Sequence, residues 1–230
     1  PVLNSTPVFI AGPNTDFSGV DATGVVFTGM KLSGANFTNA IFRNVVSGGI
    51  TVYPTPLTLP SAYYSLINGY FVGPYTDLSG ADLSGTVLTG TNLTGTNLTN
   101  AIITRATSGG ISTTATIGGI TATVPATMPA GYGLTGGYII GPNMSFVGAD
   151  LSGFDFTNID LTGVNFTGAN ITYVKSGNTT SSATTTILPD ASHVFLNKYL
   201  LGPKINLSGK DLSGMQLYGL SLSGSIFAGT

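Results

Sequence analysis

A large apolar residue recurs at every fifth position between Thr76 and Arg105: Leu78, Leu83, Leu88, Leu93, Leu98 and Ile103. Neither regular backbone structure has this period, because helical faces recur every 3.6 residues and strand faces every 2. A strict five requires a chain that turns a corner every five residues and sends one large side chain inward from each short side. Such a chain winds as a solenoid whose coils stack on one another.

Side chains alternate across an extended segment, so the residue two before each large apolar centre shares its inward face. That position is small or modest: Ala81, Thr86, Thr91, Thr96 and Ala101. The residue between them is Asp or Asn in most repeats and points outward. The Ser or Thr after the centre and the Gly that follows form the corner, where Gly and Asn tolerate positive φ. On this reading Thr94 and Ser152 face solvent. Three further runs carry the pattern. Their centres are Phe17, Ala22, Phe27, Leu32, Phe37 and Phe42; Phe146, Leu151, Phe156, Leu161, Phe166 and Ile171; and Leu207, Leu212, Leu217, Leu222 and Phe227.

The words GADLSG (80–85 and 148–153), GANFTN (34–39) and GKDLSG (209–214) resemble the A(D/N)LXX motif of the pentapeptide-repeat family. The resemblance implies an all-β fold, a right-handed quadrilateral β-helix with four pentapeptides per coil of about 20 residues, coils stacking at roughly 4.8 Å. It implies no single function, because one fold hosts several.

A longer period overlies the short one. Gly12-Pro13, Gly73-Pro74, Gly141-Pro142 and Gly202-Pro203 each precede a run. The first and last intervals between them are equal, and the middle one is seven residues longer. Each Gly-Pro closes an apolar stretch: VFIAGP, NGYFVGP, GGYIIGP and NKYLLGP. The chain therefore reads as one continuous solenoid over 1–230, with super-repeats at about 1–45, 46–106, 107–174 and 175–230. The shorter interval corresponds to three coils and one more residue. The Gly-, Thr- and Pro-rich spacers are thus expected to continue the winding in register, with Gly-Pro marking the extra residue. The second spacer is the longer one, and 112–128 is its expected looped-out hairpin. Pro1 aligns with Ala62 and the fourth run stops partway, so both ends read as cuts through a longer array.

Composition narrows the class. Apolar residues make up 42% and charged residues 7%, against an average of about 25% charged. The apolar share is ample for a continuous core and excludes a disordered chain. A neutral exterior of Ser, Thr, Asn and Gly points to an extracellular, cell-surface or virion-surface location and allows packing against copies of itself. No apolar run reaches the ~18 residues of a membrane helix, and there is no Cys.

Candidate chemistry is sparse. His193 is the single His, and with no Cys or Glu in the chain it lacks partners for a metal site or a triad. Asp150, Asp155 and Asp160 lie five apart. Under the fold that the resemblance implies they fall on three successive sides, so they do not converge as a catalytic or calcium-binding set would. Nine N-x-S/T sequons, at Asn4, Asn36, Asn92, Asn97, Asn143, Asn165, Asn170, Asn178 and Asn206, arise from the repeat itself; Asn4 and Asn178 stand outside the regular runs and are the better glycan acceptors. Tyr63, Tyr64, Tyr70, Tyr132, Tyr138 and Tyr199 recur in the spacers, and their equivalence predicts a stacked packing ladder. Lys31, Arg43, Arg105, Lys175, Lys198, Lys204 and Lys210 are scattered, and the net charge is −2; a nucleic-acid-binding stripe is absent.

The expected function is structural: a non-enzymatic solenoid segment of an extracellular fibre, filament, sheath or virion appendage, associating end to end with itself and needing no cofactor, metal, membrane insertion or nucleic acid. The alternative is a surface-binding module whose partner is a glycan or other surface ligand, such as a polysaccharide- or ice-binding adhesin. TGTNLTGTNLTN (89–100) suits such a face, but Gly109 stands one coil beyond Thr89, so no long Thr column forms. The family resemblance also implies a minor alternative, topoisomerase protection by imitation of DNA. Nine acids against seven bases do not make a DNA-like surface.

Overall fold

The computed structural model describes residues 10–117, 119–181 and 185–230. Each pentapeptide is a bridging residue and its inward neighbour followed by a tight turn. The turn after Phe17 is representative: the Val20 N–H donates to the Phe17 carbonyl at 3.1 Å, and Gly19 takes φ 68°, as the third position of a type II turn requires. The outward carboxylate locks the same corner, since Asp16 Oδ1 accepts from the Ser18 N–H at 2.9 Å. This local closure is why the five-residue word sets its own geometry before any coil is stacked.

Parallel bridges then join each word to the fourth word after it, as in Asp16 with Asn36, Asp77 with Asn97, and Asp150 with Asn170. The bonds are evenly shared along the stack: the Leu78 N–H donates to Asn97 O at 2.8 Å and the Asn97 N–H to Thr76 O at 3.0 Å. One coil is therefore four words.

Contacts divide the chain into two units. One comprises Pro1–Ala81, Thr91–Ala101 and Ser112–Thr127; the other comprises Asp82–Gly90, Ile102–Ile111 and Met128–Thr230. In the first unit a phenylalanine core runs through Phe17, Phe27, Phe37, Phe42 and Phe71, all buried. Phe17 and Phe37, one coil apart, stack with ring centroids 4.8 Å apart. Leu32, Leu78, Leu93 and Leu98 are equally buried there, as are Leu83, Leu88, Leu151, Phe156, Leu161, Phe166 and Leu207 in the second unit. Leu212, Leu217 and Leu222 are only half-buried, and Phe227 is 40% exposed.

The spacers hold antiparallel hairpins: β1 (Ser65–Ile67) with β2 (Tyr70–Val72), β3 (Thr114–Ile117) with β4 (Ile120–Thr123), β5 (Gly133–Thr135) with β6 (Tyr138–Ile140), and β7 (Val194–Leu196) with β8 (Tyr199–Leu201). The looped-out hairpin expected within 112–128 is β3–β4. The other three lie at equivalent places in successive super-repeats. Their tips, Asn68-Gly69, Gly136-Gly137 and Asn197-Lys198, have positive φ at both residues, which matches the right-handed twist of the flanking strands.

These hairpins change the count of coils. In the first unit Val26 bridges Val46, which bridges Asp77. Asp77 is the equivalent of Asp16 in the next super-repeat, yet it stacks on the Val26 side, two words beyond Asp16. A super-repeat is two and a half coils, not three coils and one residue. The two coils from Val26 to Asp77 hold eleven residues more than two regular coils would. Two of these enter the side between Thr51 and Thr58, since Asn36 bridges Thr58 rather than the residue two earlier. The rest enter the stretch that holds β1–β2. In the second unit, Asp155–Lys175–Asn206 and Asn165–Ile187 repeat the same counts.

Candidate functional site

The outward residues are committed to the fold's own corners. Asp150 Oδ1 accepts from the Ser152 N–H at 3.1 Å and from Asn170 Nδ2 of the next coil at 3.0 Å. Asp155 and Asp160 each cap their own corner, through the Thr157 and Thr162 N–H groups, both at 2.9 Å. The three carboxylates do not come together. Hydrogen bonds from the hydroxyl and N–H of Ser152 hold the Asp150 carboxyl below its ordinary range; Ser18, Thr23, Ser84 and Ser213 do the same for Asp16, Asp21, Asp82 and Asp211. Among the described residues no group of His, Asp and Glu is arranged to hold a metal, and no helix is long and apolar enough to cross a membrane.

Most sequons are absorbed by the same device. Asn36 and Asn97 accept from the N–H and hydroxyl of Thr38 and Thr99, and their amides donate to Asp16 and Asp77 one coil below. Asn178 donates to Asn158 Oδ1 at 2.9 Å. Asn4 lies outside the described residues.

Thr94 is not a solvent-facing corner. It is fully buried, because the β3–β4 hairpin covers this corner in the first unit: Asn92 Nδ2 donates to Thr114 O at 2.7 Å and the Gly95 N–H to Val124 O at 2.9 Å. Ser152 is exposed.

The spacer tyrosines pack on glycine and phenylalanine rather than on one another. A Cβ at Gly73 would lie 2.2 Å from the Tyr64 ring, and one at Gly141 2.4 Å from the Tyr132 ring. The phenols donate to Pro74 O at 3.2 Å and Pro142 O at 2.9 Å. Gly-Pro is thus a seat for an aromatic ring, not the mark of an extra residue. Burial pushes the Tyr64 phenol up to about 12. His193 takes the same seat in the last super-repeat: a Cβ at Gly202 would lie 2.3 Å from its ring. His193 Nδ1 bonds Asp190 Oδ1 at 2.9 Å, and Ser192 and His193 together hold the Asp190 carboxyl at about 2. A second seat follows, in which Tyr70, Tyr138 and Tyr199 lie over Gly48, Gly109 and Gly177. Beside it a serine clamps the hairpin: Ser47, Ser108 and Ser176 Oγ accept from the Phe71, Ile139 and Leu200 N–H groups at 2.9, 3.1 and 3.0 Å.

The family model for pentapeptide repeats matches in eight copies, over 14–46, 75–107 and 145–175. These are the stretches in which bridges join every fourth word. The chain carries pentapeptide repeats in these three stretches. Its fold class is the all-β quadrilateral β-helix. Among solved structures it is similar to HetL, a pentapeptide-repeat protein involved in heterocyst differentiation regulation from the cyanobacterium Nostoc sp., at 18% identity over 77% of this chain and 91% of that one, with a TM-score of 0.32. It is also similar to QnrB1, a plasmid-mediated fluoroquinolone resistance protein, at 15% identity over 93% and 79%, TM-score 0.23. A third is Rfr23 from the cyanobacterium Cyanothece 51142, at 17% over 76% and 89%, TM-score 0.19. No curated protein sequence matches the chain.

Proposed function

We propose that this chain is a non-enzymatic structural segment of an extracellular, cell-surface or virion-surface filament or sheath, built for length and for association with copies of itself. The observation that carries this reading is the repetition of one whole assembly: hairpin, serine clamp and ring seated on Gly-Pro recur in three successive super-repeats. A module copied with its supports extends a body; it does not converge residues on one reacting centre. The exterior supports the same role. Its Asp and Asn side chains are spent on corner bonds, and only 7% of residues are charged, so copies repel one another little. Leu212, Leu217 and Leu222, half-buried, form an apolar layer onto which another coil of the same pattern fits, the strand edge there supplying backbone partners.

Negative-stain electron microscopy across a concentration series tests this. Filaments of uniform width that lengthen with concentration are expected. Particles of one size at every concentration would overturn self-association.

A further inference from the structure

Corners stack into columns, and the one at the last hairpin departs from its two equivalents at the earlier hairpins. In the first unit the corner facing the first hairpin is Gly29, Gly49 and Gly69, with φ of 70, 64 and 79°. A Cβ at Gly69 would lie 3.0 Å from Gly49 N, and one at Gly49 3.8 Å from Gly29 Cα. In the second unit the equivalent column at β5–β6 is Gly90, Gly110 and Gly137, at 72, 60 and 80°. At β7–β8 of that unit, the same three places are Asn158, Asn178 and Lys198, at 63, 51 and 67°. Left-handed backbone is natural for Gly and tolerable for Asn; for Lys it is unfavourable. Glycine serves at these places in the other columns, so the departure is not demanded by the fold.

The column is wired together and surrounded by positive charge. Asn178 Nδ2 donates to Asn158 Oδ1 at 2.9 Å, and Lys198 Nζ reaches Asn178 Oδ1 at 3.5 Å. Lys210 Nζ donates to Thr157 Oγ1 at 3.3 Å, and a Cβ at Gly177 would lie 3.2 Å from that ammonium and 3.3 Å from Tyr199 Cε1. Lys210 replaces Ala81 and Ala149 of the earlier super-repeats, and Lys175 replaces Val46 and Thr107. Asp155 is the acid beside them, and both Lys175 and Lys210 act on it.

We infer that the column Asn158–Asn178–Lys198, with Lys210, Lys175 and the Tyr199 ring, is a binding site for an acidic polysaccharide. The ammonium groups meet carboxylate or sulfate, the two amides supply both donors and acceptors for sugar hydroxyls, and the tyrosine offers an apolar edge. Charge alone would suit any polyanion; the amide column is what favours a sugar. The inference is independent of the self-association proposed above.

The test uses the full chain in affinity electrophoresis through gels containing polygalacturonate, chondroitin sulfate, neutral dextran or duplex DNA. The variant Lys198→Gly/Lys210→Ala carries the residues that the other two columns already use, so its fold is provided for; circular dichroism checks it. Retardation by an acidic polysaccharide and not by dextran is expected, weakened by at least about tenfold in that variant, as lost charge-assisted bonds imply, and falling with salt. Asn158→Gly/Asn178→Gly should weaken polysaccharide binding and leave any DNA retardation unchanged. Absence of retardation by both acidic polysaccharides, or equal retardation of wild type and the lysine variant, would overturn the site. DNA held as tightly as polysaccharide, with the asparagine variant unaltered on both, would overturn the sugar assignment.

Discussion

The third and fourth runs, both in the second unit, carry the same five-residue pattern and differ in burial. Phe146, Leu151, Phe156, Leu161 and Phe166 are at most 1% exposed, whereas Leu212, Leu217 and Leu222 are half-buried. The third run is bridged onward to Lys175, Thr180 and Ile187; in the fourth, Asn206 bridges Ile226, and among the described residues no further coil covers the layer. The word thus sets direction, and the neighbouring coil sets burial. Stability in such a stack is a sum of layer interfaces, not of words.

The largest effect expected from this difference is that of a buried charge. Leu161→Asp should cost at least about 4 kcal/mol, an unpaired carboxylate in a dry core. Leu217→Asp, whose carboxylate reaches water, should cost about 1 kcal/mol. Urea titrations that showed equal losses for the pair would sink the layer account. Truncation should follow with smaller numbers: about 3 kcal/mol for Leu161→Ala and about 1 for Leu222→Ala, because a half-exposed site leaves little cavity. A comparison of corners comes next. Thr94→Asp, beneath β3–β4, should cost about 2 kcal/mol, and Ser152→Asp should stay within about 0.5. Melting temperatures that ranked Ser152 above Thr94 would contradict the hairpin's cover.

The smallest effect is that of acid. Asp16, Asp21, Asp82, Asp150 and Asp211 are depressed by their corner hydrogen bonds. A depressed carboxylate contributes stability that is fully present above its unfolded value of about 3.9 and is lost as pH falls through the folded value. Melting temperature should therefore be flat from pH 7 to about 4.5 and decline below that, the share of Asp190 being lost progressively as pH falls to about 2. Decline beginning at pH 6 would contradict this account.

Much of the fold was legible because the five-residue word closes on itself. The corner bond, the Asx cap and the inward centre all lie within a few residues, so local sequence specifies them. The hairpins had a readable signal that the periodic pattern obscured: Asn68-Gly69 between SLI and YFV is a two-residue turn between apolar strands. Only β3–β4 was expected, from the length of its spacer. The ladder of tyrosines is not formed because equivalence along the sequence does not mean adjacency; in the second unit, with two and a half coils per super-repeat, Tyr138 and Tyr199 fall on opposite sides of the coil.

The sequence by itself determined the five-residue corner, the inward residue, the neutral exterior and the resemblance to pentapeptide repeats. The tertiary structure decided what depends on stacking: which inserted residues wind and which pair as hairpins, which corners are covered, and which residues one coil apart form a column. Asn158, Asn178 and Lys198 are a site only once coils lie on one another, since a bridge between words is a contact that no single word contains.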